Sequence, residues 1–277
     1  MNNQVTPIQR NLRFKLPVDR VRSWHKKAGM HGSQFMNTMS LFFPEGERFF
    51  IQSVRNFRNE ITDLQLQKAV KAFIGQEAMH GREHEEYNKA MVESGFAVDR
   101  MEAQVTRLLN TIKRTSSNEF QLAVTIALEH LTAILADVLL KNPDFFEGAD
   151  PNFTALWQWH ALEETEHKAV AFDVFQEVMN KSLGAYLLRT SALVLATGLF
   201  FSLVYFYYFN LLKTDGEHTN VRGIWRSFQF QWLKPGLLRL AIPAWLDYFK
   251  PGFHPWQHDN REFLTLIDEL EARVASF

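Results

Sequence analysis

The chain has 277 residues, with 30 basic and 31 acidic side chains and no cysteine. Charges that nearly cancel offer no polyanion-binding surface, so no nucleic-acid partner is expected. Without cysteine there are no disulfides, thiolate zinc sites, iron–sulfur clusters or cysteine nucleophiles, and histidine and carboxylate are the strong ligands left.

The first residues are polar and charged, and no cleaved secretion signal is expected from them. Residues 1–39 carry Arg10, Arg13, Lys15, Arg20 and Arg22, then Trp24-His25 and the Gly29-Met30-His31-Gly32 turn. That punctuation predicts an N-terminal strap with short helical turns. The first long helix is expected from Pro44 to Ile61, with Pro44 in its first turn, where a missing N–H costs nothing. Phe43, Glu47, Phe50 and Val54 fall on one helical stripe, so Glu47 is a carboxylate among apolar groups and needs a partner. Glu45 competes with it, but a first-turn position suggests a helix-dipole role.

Thr62-Asp63-Leu64-Gln65 reads as a capping box opening a helix that ends at Ser94 and stops at Gly95. This helix holds Glu77, His80 and His84. An amphipathic helix is expected over 98–115, and a nearly all-apolar one over 118–141, interrupted by Glu129, His130 and Asp137 and stopped by Asn142-Pro143. Another begins near Phe153 and holds His160, Glu163, Glu164 and His167. No strand alternation occurs, so the fold class is all-α, with a helical bundle over 40–182.

The third region, 183–277, is apolar and aromatic. Its stretch 190–212 lacks any charged residue and is long enough to cross a bilayer, with Lys181, Arg189 and Lys213 flanking it and Tyr205, Tyr207 and Tyr208 at one end. The bland reading is a buried helix in a large soluble fold or a homodimer interface. Flanking Lys and Arg put the C-terminal side in the cytoplasm, whereas iron loading puts the bundle there. The tail from Trp225 to Trp256 mixes Trp, Phe and Leu with Arg226, Lys234, Arg239 and Lys250, as segments lying on a membrane surface do.

Chemistry centres on a pattern that occurs twice, Glu77-x-x-His80 and Glu164-x-x-His167. Residues three apart on a helix lie about 4.5 Å apart along its axis on nearly one face, so each pair converges on one point. With a lone Glu from each of two further helices, Glu47 and Glu129, they make up the donors of a di-metal carboxylate centre in a ferritin-like four-helix bundle, with 98–115 as its crossover helix. Four carboxylates and two neutral imidazoles match two divalent ions, most simply iron, with manganese and zinc as alternatives. Glu163 competes with Glu164 from the i, i+4 position. His130 points about 100° away from Glu129, which suits packing or support of a ligand. His84 and His160 each lie one turn beyond the motifs, at one end of the centre, as extra ligands, proton donors, substrate contacts or buried hydrogen-bonding groups. His84, His160 and Glu163 are therefore the catalytic candidates.

Phe43-Pro44-Glu45-Gly46-Glu47-Arg48-Phe49-Phe50, the two Glu-x-x-His motifs, Glu129-His130 and Phe249-Lys250-Pro251-Gly252-Phe253-His254-Pro255 together resemble a bacterial family catalogued as predicted metal-dependent hydrolases, within the wider ferritin-like group. The resemblance runs from about Arg10 to Asp259. It implies Glu47, Glu77, His80, Glu129, Glu164 and His167 as metal ligands, and a bacterial cytoplasmic protein or one on the cytoplasmic face of the inner membrane.

Three functions are weighed. Helix-borne glutamates favour a di-iron enzyme that activates dioxygen to oxidise an apolar small molecule. The family label favours a hydrolase using a di-metal-bound water, with Glu163 or His84 moving protons. The third is a non-enzymatic iron-binding or membrane-attached protein. No Gly-x-Ser-x-Gly elbow or Gly-rich nucleotide loop is present.

Overall fold

Polar side chains near the middle of four helices divide their apolar faces in two, and this division reveals the architecture. The computed structural model describes residues 5–277, and no strand occurs among them. Along α1 (Gly29–Arg55), Phe35, Met39 and Phe42 belong to one apolar core and Phe49, Phe50 and Val54 to a second, with Glu47 between. Along α2 (Leu64–Glu93) the order reverses: Val70 and Phe73 lie in the second core, Tyr87 and Met91 in the first, and Glu77, His80 and His84 between. α4 (Asn118–Lys141) runs the same way as α2, from Leu122 in the second core past Glu129 to Leu135 in the first. The fourth member is α5 (Pro151–His167) continued by α6 (Val170–Met179), from Trp159 in the first core past Glu164 and His167 to Phe172 in the second.

Because α2 and α4 run in the same sense, the chain must return between them. α3 (Val98–Thr115) does so, starting with Val98 in the first core and ending with Ile112 against the second. Its bounds and those of α4 are as the sequence predicts. Ser117 caps α4 by accepting from Phe120 N, and Pro143 follows its end. The cap of α2 lies one residue later than expected: Asp63, rather than Thr62, accepts from Gln65 N and Leu66 N.

α1 departs most from expectation. It starts at Gly29 instead of Pro44 and ends at Arg55 instead of Ile61, so residues 29–39 are helix rather than strap. Pro44 therefore sits in the helix interior, where it removes the hydrogen bond to the carbonyl of Ser40. Asn88 Nδ2 on α2 approaches that carbonyl at 3.4 Å and replaces the lost donor. Glu45 consequently lies in no first turn; it pairs with Arg48 instead.

α7 (Leu183–Thr214) is long and apolar enough to cross a membrane. Here it lies along the bundle, from Ala192 and Leu193 in the second core to Leu211 and Leu212 in the first, packed on α4 and α1. Its outward stripe of Leu187, Val194, Leu195, Leu199, Phe206 and Phe209 is exposed. Arg189, expected to flank a span, is 4 % exposed and donates to the carbonyls of Tyr248 and Lys250. Its guanidinium lies 4.6 Å from the centre of the Tyr248 ring. Beyond α7, α8 (Val221–Trp232) packs on α1, α9 (Leu237–Asp247) on α4 and α10 (Ile267–Ala275) on α5.

Candidate metal centre

The polar band between the two cores is a convergence of carboxylates and imidazoles. Glu77, His80, Glu164 and His167 each bring one donor atom within 4.8 Å of the others, and Glu47, His80 and His160 form a second, overlapping group. Glu129 approaches the same point, with Oε2 3.6 Å from His167 Nε2. All seven side chains are buried. The six ligands expected from the sequence therefore meet. His160, expected among the catalytic candidates, also stands within the donor cluster.

Both oxygens of Glu47, Glu77 and Glu129, together with His80 Nδ1 and His167 Nε2, are buried without a hydrogen-bond partner. His167 Nε2 and Glu77 Oε1 are 3.0 Å apart, but not aligned as a hydrogen bond. So many inward-facing orphan atoms would each carry a desolvation cost if nothing joined them. A hard-oxygen and imidazole donor set of this kind fits divalent cations. Gly81 helps Glu47 reach the cluster: a Cβ there would lie 3.0 Å from Glu47 Oε2.

The electrostatics agree. Burial, then the carboxylates of Glu77, Glu164 and Glu129, push Glu47 well above the ordinary carboxylate range. Burial also raises Glu77 against the pull of His167, and raises Glu129 well up with Glu77 and Glu164 adding to it. Burial would raise Glu164 too, but the nearby charge of His167 and the hydrogen bond with His160 outweigh it and hold Glu164 well below its usual range. The counterpart is His167, which burial would lower but Glu164 and Glu77 hold well above its usual range. By itself, the protein thus favours the charged forms of Glu164 and His167, while burial drives Glu47, Glu77 and Glu129 toward the neutral form. Four ionised carboxylates in so dry a place require added positive charge.

The ligand imidazoles are braced across the bundle, and the braces sit at matching places in the two motifs. Gln76, immediately before Glu77, reaches over to His167 and accepts at Oε1 from its Nδ1 at 3.0 Å. Glu163, immediately before Glu164, reaches the other way to His80 Nε2 at 3.1 Å. Each leaves the second ring nitrogen facing the cluster, which fixes ring orientation. Burial lifts Glu163 to about 8 against the Arg10 charge.

The strap closes this end. Arg10 forms a two-pronged pair with Glu166 at 2.8 and 2.9 Å and touches Glu163 at 3.3 Å, while Glu166 also accepts from Gln76 Nε2 at 2.6 Å. Sequence reasoning missed Gln76, Glu166 and Arg10 as supports. The signal for Gln76 was its place, one residue before the motif, repeated by Glu163.

At the opposite end His84 Nε2 hydrogen-bonds His160 Nδ1 at 2.9 Å, and Ser40 Oγ hydrogen-bonds His84 Nδ1 at 2.8 Å. His160 Nε2 meets Glu164 Oε1 at 3.0 Å. His84 is thus one step removed from the cluster, supporting His160. Phe43 lies against both rings, 4.5 Å from each centre. His130 is elsewhere, hydrogen-bonded to the Ala244 carbonyl and packed on Tyr248 and Phe253. Thr132 Oγ1 donates to Glu164 Oε2 at 2.7 Å.

Two apolar cavities adjoin this end, away from Glu163. One, of about 40 Å³, is lined by His160, Glu164, Thr132 and Phe43 on the cluster side. The other, of about 100 Å³, shares Met39, Phe43, Thr132 and Leu135 with it and lies among α1, α3, α4 and α7.

A family model described as "Predicted metal-dependent hydrolase" matches residues 8–259, which takes in Arg10, every donor and α7 with Arg189. No curated protein and no solved structure matches the chain.

Proposed function

The chain belongs to the family of predicted metal-dependent hydrolases, and on that premise we propose that it is a hydrolase whose two divalent ions are held by Glu47, Glu77, His80, Glu129, Glu164 and His167 in a ferritin-like bundle. His160 serves as a seventh donor or as a proton-holding neighbour of Glu164. The observation that carries this reading is the set of buried orphan atoms, Glu47, Glu77 and Glu129 oxygens with His80 Nδ1 and His167 Nε2, all turned toward one point. When bound, such ions supply Lewis acidity, acidifying water and polarising a carbonyl or phosphoryl oxygen.

The chain's own residues supply the rest. Gln76 and Glu163 orient the two imidazoles, and Arg10 with Glu166 shuts out water behind them. On the substrate side, Thr132 and His160 hold Glu164 from two directions. His160 can pass a proton to His84, which Ser40 positions.

A second reading, oxidation of an apolar substrate with dioxygen at a pair of irons, is favoured by the apolar lining of both adjoining cavities and by a donor set of glutamates on helices. The experiment that separates the two begins with protein purified without chelator and analysed for metal. Expected are two ions per chain and cleavage of an aryl ester that chelator and Glu164→Ala both abolish. Oxygen uptake by the iron-loaded protein without ester cleavage transfers the assignment to the second reading. Absence of bound metal overturns both.

A further inference from the structure

The larger cavity runs lengthwise beside the bundle, and its walls indicate its contents. Along α1 it extends from Met39 to Phe50, about 16 Å at the rise of a helix, and along α4 from Val124 to Leu135, a similar length. The smaller cavity continues along α4 to Leu139, and on its other side reaches Glu164 and His160. Thr132 is the polar side chain that borders both. The two lie end to end across shared walls, and their polar contacts gather at one place, the edge of the donor cluster.

Protein interiors are packed nearly as densely as organic crystals, and an apolar void costs stability in proportion to its size. The free space enclosed by these walls is about 100 Å³, an apolar void large enough to stay dry and take up apolar atoms. The helix that forms one wall has given up packing there: Gly46 lies within α1, and a Cβ built on it would meet no atom within 4 Å. Glycine inside a helix costs about 1 kcal/mol relative to alanine, and any larger side chain at 46 would have filled part of the void. On the far side the space is bounded by Leu109 and Ile112 of α3 and by Leu199 of α7, whose side chains are partly or fully exposed, so a mouth opens between α3 and α7.

We propose that this space is the binding site for an unbranched aliphatic chain, such as the acyl chain of an ester or amide, which enters between α3 and α7 and places its polar end beside Thr132, Glu164 and His160. The apolar walls and the void at Gly46 carry the chain-binding half of this proposal. The placement of the polar end rests on the proposed metal centre. An aliphatic substrate also fits the dryness of the site, since the donors are buried and the strap covers the end opposite Thr132.

The test is displacement of a fluorescent fatty acid from full-length protein, with the metal content of the same samples measured by mass spectrometry. Dodecanoate is expected to displace the probe and butyrate not to, because burial of methylenes drives binding. Gly46→Phe fills the void from α1 and Leu109→Trp narrows it from α3; each is expected to weaken probe binding by about tenfold or more, as overfilling a packed space does. Gly198→Phe is the size control, since Gly198 is exposed on α7 with nothing within 4 Å of a Cβ, and binding as in the wild type is expected. Lack of probe binding in metal-containing protein overturns this inference and leaves the metal reading standing. Displacement by butyrate as readily as by dodecanoate, or wild-type binding in both filling variants, also overturns it. Probe binding with the expected variant pattern in protein that holds no metal supports the chain site and overturns the metal reading instead.

Discussion

Replacing Glu129 by leucine should remove metal and yet stabilise the metal-free protein. Glu129 is 2 % exposed, and neither of its oxygens has a hydrogen-bond partner. Burial and the neighbouring Glu77 and Glu164 drive it toward the protonated form, but a neutral carboxyl in that position still leaves polar atoms unpaired. An unsatisfied buried polar group costs about 1–3 kcal/mol, and replacing buried charged groups by apolar ones of similar volume often gains about 1–4 kcal/mol. Leucine follows the apolar character of Leu128 and Leu131 on the same helix. A gain of about 2 kcal/mol, or roughly 4–8 °C in Tm, is expected for the chelator-treated variant. With ions present the order should invert, because binding stabilises the wild type in proportion to the logarithm of metal over Kd, and the variant lacks a ligand. Calorimetry of chelated and metal-loaded samples, with metal stoichiometry, checks both halves. Glu129→Gln, which keeps the shape and a polar end, should show less of the gain. A chelated Glu129→Leu protein that melts below the wild type, or one that still retains two ions, would refute the reasoning.

Arg10→Met should strip the charged partner from Glu166, leaving it Gln76 and the Ile8 N–H, and weaken the hold on Glu163, costing about 3 kcal/mol and quickening loss of metal to chelator; Glu271→Gln, which removes its half-exposed third partner, should cost under about 1 kcal/mol, and equal melting of the two variants would contradict the role given to the strap. Gly81→Ala places a methyl 3.0 Å from Glu47 Oε2, so metal stoichiometry should fall while circular dichroism stays helical; two ions retained would show that Glu47 has room to move. Burial holds His130 at about 3 and His25 at about 4, below the unfolded value of about 6.5. Both are neutral in the fold and charge on unfolding, so the stability they allow is present above about pH 6.5 and is lost as pH falls toward their folded values. Urea unfolding between pH 7 and 4 should show that loss, with a shallower slope in His130→Phe; an unchanged slope would mean that His130 takes no part.

How much of this is legible in the sequence depends on the distance over which each signal acts. Glu-x-x-His is an intrahelical spacing, so both half-sites are visible, and Glu47 and Glu129 stand out as carboxylates in apolar stripes. α4 begins and ends where local signals act, with Ser117 capping its start and Pro143 following its end. α1 is misread because Pro44 is a strong local signal for a helix start, whereas what permits it in the interior is Asn88, a residue on another helix, offering an amide to the Ser40 carbonyl. The braces are hidden for the same reason. Nothing local tells Gln76 to support His167 rather than His80, and Arg10 meets Glu166 only when distant parts of the chain come together. Helical spacing puts His160 on the correct face, but the hydrogen bond from His84 and the contact with Phe43 that hold its ring come from other helices.

α7 carries a consequence for sidedness. A helix threaded through a bilayer holds the chain on its two sides apart by the thickness of the hydrocarbon. Here α8, α9 and α10, on the C-terminal side of α7, rest on α1, α4 and α5, on its N-terminal side, and Arg189 ties the start of α7 to the loop after α9. With those contacts intact, the segments before and after α7 pack together on one body. Its outward apolar stripe, turned away from the cavity wall, is placed to meet a lipid surface or a second subunit sideways.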